Sequence, residues 1–186
     1  MSHQLDFDGM AEKLVLLQHF SSGSRRYCAD RLTGGTSDQG NGALDDYWGW
    51  VKTIVCNYSI ECAIKFRILQ DTIKGQSDVI AFEQLDSQAC IGLTIGLVAQ
   101  GTFDLTLRES CNKIIHARRV IPQWSDSRAK GKRFKYWNGT VEIGGDRGGK
   151  KWTVILNVSD WSRAMERFLL EFQSSDAFHY VGQDWY

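Results

Sequence analysis

Arginine, asparagine and histidine recur four residues apart in the stretch Leu107 to Ala117, as Arg108, Asn112 and His116. On a helix turning ~100° per residue, Asn112 stands about 40° and His116 about 80° around from Arg108, so one broad face can carry all three. A guanidinium binds phosphate oxygens, an imidazole moves protons near neutral pH, and an amide orients either group. Arg108, Asn112 and His116 are therefore the expected catalytic residues. The same spacing also suits a structural helix whose Asn112 and His116 bond to neighbouring helices while Arg108 covers the surface.

Cationic residues follow at once. Between Arg118 and Lys135 there are seven basic side chains and one acid, Asp126. Arg118, Arg119, Arg128, Lys130, Lys132 and Arg133 are the expected RNA-binding residues. Phe134, Tyr136 and Trp137 lie close by, which places ring faces next to charge as single-stranded nucleic acid requires. A solvated edge strand whose lysines block aggregation would carry the same residues. The chain as a whole has 22 basic and 22 acidic side chains, so no global charge advertises a polyanionic partner.

Gly144 to Lys150 approaches the spacing of a phosphate-binding loop, but Lys151 stands where a magnesium-binding hydroxyl belongs. The loop also leads into a β-favouring run, so a simple β-turn is expected. The cysteines, Cys28, Cys56, Cys62, Cys90 and Cys111, are odd in number and lack zinc-site spacing, so reduced thiols are expected, with no metal and no cofactor. Residues 87–103 hold no charge, yet they are too short and too interrupted by glycine to span a bilayer. The N-terminal residues lack the basic and apolar blocks of a signal peptide; the expected location is the cytoplasm.

Several elements must position these groups. Phe7, Met10, Leu14 and Leu17 step at helical spacing behind a cap at Asp6 or Asp8, with a break expected at Ser21 to Ser24. After a glycine-rich loop over 33–42, Tyr47, Val51, Ile54, Tyr58, Cys62, Phe66, Leu69 and Ile73 describe a central helix stopped by Gly75. A short helix is expected near Val79 to Leu85. A further one, capped by Thr102, carries the stripe Phe103, Leu107, Cys111, Ile114 and Ile115, and Pro122 ends it or lies just beyond its end. Thr140 to Ile143 and Trp152 to Val158 read as a hairpin. A last helix, capped by Ser159 or Asp160, lines up Trp161, Met165, Phe168 and Phe172. The aromatic residues from Phe178 to Tyr186 are expected to dock on a protein surface.

The frame of helices, the segment Asn112-Lys113-Ile114-Ile115-His116, and the run Ile60-Glu61-Cys62-Ala63-Ile64-Lys65 together resemble the HEPN superfamily. In that family's motif an arginine, commonly followed by a polar residue such as asparagine, is separated from a histidine by four to six intervening residues. Asn112 and His116 match its last two members, whereas Cys111 occupies the arginine position and Arg108 is the nearest upstream arginine. The resemblance implies a mainly α fold: one HEPN-like helical-bundle domain over 1–186 with a hairpin inserted at about 133–158. It also implies a homodimer and metal-independent RNA cleavage or RNA binding, as in toxin or antiviral systems. His116 would take the proton of a ribose 2′-hydroxyl, Arg108 would stabilise the phosphorane, and Asn112 would hold either group. The alternative expectation is a catalytically inactive bundle that dimerises or holds a partner protein.

Overall fold

The computed structural model describes residues 5–34, 40–74 and 82–174 of the chain. Asp6 accepts a hydrogen bond from the Gly9 amide at 2.8 Å and so opens α1 (Phe7–Gly34). The break expected at Ser21 to Ser24 is absent. Ser21 and Ser22 donate to the carbonyls of Gln18 and His19, and Ser24 faces inward, where its Oγ accepts the Trp137 amide at 3.0 Å. Packing on that tryptophan offsets the weak helix preference of the serine and glycine run.

The central helix forms as its spacing requires, as α2 (Gly40–Lys74), with Val51, Val55, Cys62, Phe66 and Leu69 buried. The stop expected at Gly75 and the aromatic segment 178–186 lie outside the described residues. α3 (Phe82–Ala89) covers the end of the short helix expected near Val79 to Leu85, whose expected start lies outside the described residues, and a strand, β1 (Gly96–Gln100), follows it. After α4 (Leu107–Ile115) come β2 (Arg119–Ala129), β3 (Lys132–Arg147), β4 (Lys150–Asn157) and α5 (Val158–Gln173).

These strands form one antiparallel sheet in the order β1-β4-β3-β2. The fold is therefore mixed α/β, which corrects the expectation of a HEPN-like, mainly α bundle with one added hairpin. β3 and β4 occupy the span read as that hairpin, but β1 and β2 extend it on both sides. Pro122 does not end a helix. It lies in the edge strand β2, opposite Val141, where a missing N–H on the outer side breaks no ladder bond.

The sheet has two unlike faces. Val141, Ile143, Trp152, Val154 and Leu156 point into the core with Trp161, Met165, Phe168 and Phe172 of α5, all buried. On the other face Leu97, Ile155, Glu142 and Ile121 form one row across the four strands, with Leu97 and Ile121 exposed. Alternation of this kind is what a sheet covered on one side demands.

Both hairpin turns place two consecutive residues at positive φ, Lys130-Gly131 and Gly148-Gly149. That is the backbone of a two-residue turn matched to strand twist, so the phosphate-loop-like spacing closes a hairpin. Between Pro122 and Trp124, the single residue Gln123 of β2 faces three of β3, Asn138, Gly139 and Thr140. The irregularity bends the pair. Beyond it β4 no longer contributes, and residues 124–137 continue as a two-stranded ribbon laid on α1 and α2 through Trp137 against Phe20 and Trp124 against Trp48.

Candidate functional site

α4 is held at its N-terminus by a buried carboxylate from another helix. Asp86 of α3 accepts the Leu107 and Arg108 amides at 2.8 and 2.9 Å, and the Thr106 hydroxyl accepts the Glu109 amide at 3.1 Å. Thr106, not Thr102, is the cap. Burial raises the Asp86 carboxyl despite those two amides and the nearby Arg108 charge. Deeper in, Ser110 accepts the Trp161 indole N–H at 2.9 Å and donates to the Leu107 carbonyl, locking α4 to α5.

The polar residues of α4 fall on two flanks. Arg108 turns toward α2, donating to Gln70 at 3.2 Å and to Asp71 at 2.7 Å, with its guanidinium over the Phe82 ring. Arg67 donates to the same Gln70 and Asp71, so two guanidiniums share one carboxylate and one amide oxygen. Arg108 is thereby a clip between α4 and α2. The other flank carries Glu109, Asn112, Lys113 and His116, which border a half-open cleft of about 460 Å³. The structure therefore brings Asn112 and His116 together and places Arg108 elsewhere.

Across the cleft stand Arg118, Asp146, Arg147 and the Trp152 ring, supplied by the residue before β2, the end of β3 and the start of β4. Gly145 permits this, since a Cβ there would lie 2.5 Å from the Trp152 ring. Lys113 is buried, with its ammonium 4.0 Å from the Phe103 ring centre, 4.7 Å from that of Trp152, and 3.0 Å from Glu109. Burial would raise the Glu109 carboxyl, but the Asn112 amide, the Lys113 ammonium and the Arg147 charge together hold it below its ordinary value. Arg118 pairs with Asp146.

Two groups on this flank remain uncommitted. The exposed His116 side chain and the exposed Arg147 guanidinium have no hydrogen-bond or ion-pair partner among the described residues. The Asn112 amide donates to Glu109 at 3.0 Å, which leaves its oxygen to accept. The cleft thus offers an imidazole, an amide oxygen and one unpaired cation, beside carboxylates already neutralised.

Glu109, Lys113, Asp146, Arg147 and Trp152 were not among the residues singled out from sequence. For the two on α4 a signal existed. Glu109, Asn112, Lys113 and His116 follow i, i+3, i+4, i+7, and seven residues bring a helix back to within ~20°, against 80° for the eight separating Arg108 from His116.

The expected RNA-binding residues divide into two groups. Arg118 and Arg119 sit at the cleft end of β2, where Arg119 pairs with Glu142 across the sheet. Arg128, Lys130, Lys132 and Arg133 surround the β2–β3 turn, ten residues or about 30 Å along the strand. None of these four, nor Lys135, has an ion-pair partner among the described residues, and all five are exposed. Asp126 lies opposite Lys135 in register. The expected stacking surface is not presented: Phe134 and Trp137 are buried, and the half-buried Tyr136 lies under the Arg25 guanidinium.

Among the described residues no helix is long and apolar enough to cross a membrane, and no three His, Cys, Asp or Glu side chains converge as a metal site. The cysteines are free thiols, and burial pushes Cys28 and Cys90 up to about 11 and Cys62 to about 12. Comparison with protein families, curated proteins and solved structures found no significant match, so function must be argued from the geometry of the cleft and the ribbon.

Proposed function

We propose that this chain is an RNA-binding protein that grips the phosphate backbone with the β2–β3 ribbon. The observation that carries this reading is the set of four unpaired, exposed cations, Arg128, Lys130, Lys132 and Arg133, around one tight turn. Cations kept apart from carboxylates are electrostatically unsatisfied, and a polyanion satisfies them by releasing its condensed counterions. On the ribbon, the buried Phe134 and Trp137 rings present no face to bases. Recognition is then backbone-directed and indifferent to base sequence.

Binding of an end-labelled single-stranded RNA, followed by fluorescence anisotropy across a salt series, tests the reading. Four phosphate contacts predict a log–log slope of about −3. No binding at low salt, or affinity that ignores salt, would refute it.

A second reading, RNA cleavage in the α4 cleft, is favoured by the uncommitted His116 imidazole beside Arg147 and Arg118. In that reaction a His116 ring nitrogen takes the proton of a ribose 2′-hydroxyl and the 2′-oxygen attacks the adjacent phosphorus. The P–O5′ bond then breaks, leaving a 2′,3′-cyclic phosphate and a 5′-hydroxyl once the leaving oxygen is protonated by water. Arg147 faces the charge that develops on phosphorus. Arg108 takes no part. Incubation of labelled RNA with wild type and His116→Ala separates binding from cleavage: cyclic-phosphate products that persist in the variant would end this second reading.

A further inference from the structure

A second cavity lies behind the cleft, between α2 and the inner face of the sheet. It has a volume of about 200 Å³ and is lined mainly by Val55, Ala117, Val120 and Leu156, with the exposed Asn57 and Ile60 bordering it and no charged side chain. Ile114, Ala117 and Val120 face this cavity, whereas His116 and Arg118 face the cleft. The short connection from α4 to β2 is therefore a partition between the two.

One polar group in the wall is unexplained. Ser59 of α2 lines the cavity, is 5 % exposed, and its hydroxyl has no hydrogen-bond partner. Seven other hydroxyls among the described residues turn back on their own helix. Ser21, Ser22, Thr72, Ser87, Ser110, Ser162 and Ser174 each donate to a carbonyl three or four residues earlier. A buried hydroxyl left unbonded is costly, and most such groups have a partner. An apolar cavity with one unsatisfied polar group is the general form of a small-molecule site.

We propose that this cavity binds a small neutral molecule: an apolar body of one ring or a short branched chain, bearing one oxygen that bonds to the Ser59 hydroxyl. No charged side chain lines the cavity, so an ionic ligand would find no counter-charge there to offset its desolvation. The volume sets the size, since an apolar cavity of ~150 Å³ takes up benzene. This site is independent of the RNA reading and stands or falls separately from it.

Phenol and benzene are the probes, titrated into the full-length chain and followed by amide chemical shifts. Both are expected to shift resonances of residues 55–60, 114–120 and 141–143. Ser59→Ala is expected to weaken phenol about fivefold, the worth of one hydrogen bond, and to leave benzene unchanged. Ala117→Leu, which fills the space from a half-buried position, is expected to abolish both while circular dichroism stays native. If neither probe binds the wild type, if Ser59→Ala affects the two equally, or if Ala117→Leu leaves binding intact, the proposal is overturned. Were Ser59→Ala to lose its fold, the wild-type shift map and Ala117→Leu would still decide the matter.

Discussion

The two flanks of α4 carry similar chemistry to opposite ends. On one, Arg108 is bound to Gln70 and Asp71 and stacked over Phe82; on the other, His116 and Arg147 stand exposed with no hydrogen-bond or ion-pair partner among the described residues. Residue type alone does not separate them. A guanidinium engaged by a carboxylate and an amide has its donors satisfied, so it holds helices together. The same group unengaged at a cleft is available to an anion.

The largest expected effect lies on the holding side. Asp86→Ala removes the buried carboxylate that accepts two α4 amides, leaving both unsatisfied. Urea unfolding is expected to show a loss of about 2–3 kcal/mol. A change within ~0.5 kcal/mol would mean that α4 is anchored elsewhere.

Arg108→Ala is next. Because Asp71 is more than half exposed, screening limits the cost to about 1 kcal/mol, and RNA affinity should stay at the wild-type value. A selective fall in RNA affinity without a change in stability would reverse the contrast between the flanks. His116→Ala is expected to do the opposite of Arg108→Ala, leaving the urea midpoint unchanged because its side chain makes no bond within the described residues.

The smallest effect sharpens the electrostatics of the cleft. The Glu109 carboxyl is depressed in the folded chain, so its stabilisation is present above the unfolded value near 4.5 and is lost as pH falls through the lower folded value. Glu109→Gln should flatten that part of the acid limb of the stability curve by less than ~1 kcal/mol after screening. An unchanged acid limb would place the carboxylate outside the Asn112 and Lys113 network.

The parts of the fold visible in the sequence are those whose periodicity reports burial directly. Met10, Leu14 and Leu17 in α1, Tyr47, Val51, Cys62, Phe66 and Leu69 in α2, and Trp161, Met165, Phe168 and Phe172 in α5 are buried. Thr140 to Ile143 and Trp152 to Val158 alternated clearly enough to be read as strands. β2 was obscured for three physical reasons: Pro122 suggests a helix end, the three residues of β3 opposite Gln123 break the pairing, and polar residues from Ser125 to Arg128 fill most of its far half. An edge strand hides both a proline and charge more readily than an inner one.

The site shows the same division. His116 and Asn112 could be placed together from helix geometry, and the cation run could be seen. Arg108 could not be excluded, because its partners Gln70 and Asp71 belong to a helix 37 residues away in the chain. Asp146, Arg147 and Trp152 were equally hidden, since only sheet register brings the β3–β4 turn to the end of α4. Contacts made by tertiary packing leave no local trace.

The most direct measurement is the salt dependence of RNA affinity for two variants side by side, one with Arg128, Lys130, Lys132 and Arg133 all changed to Gln, the other Arg108→Ala. The ribbon variant should lose nearly all of a slope of about −3, while Arg108→Ala keeps it. Equal slopes in both variants would contradict the assignment of RNA binding to the ribbon.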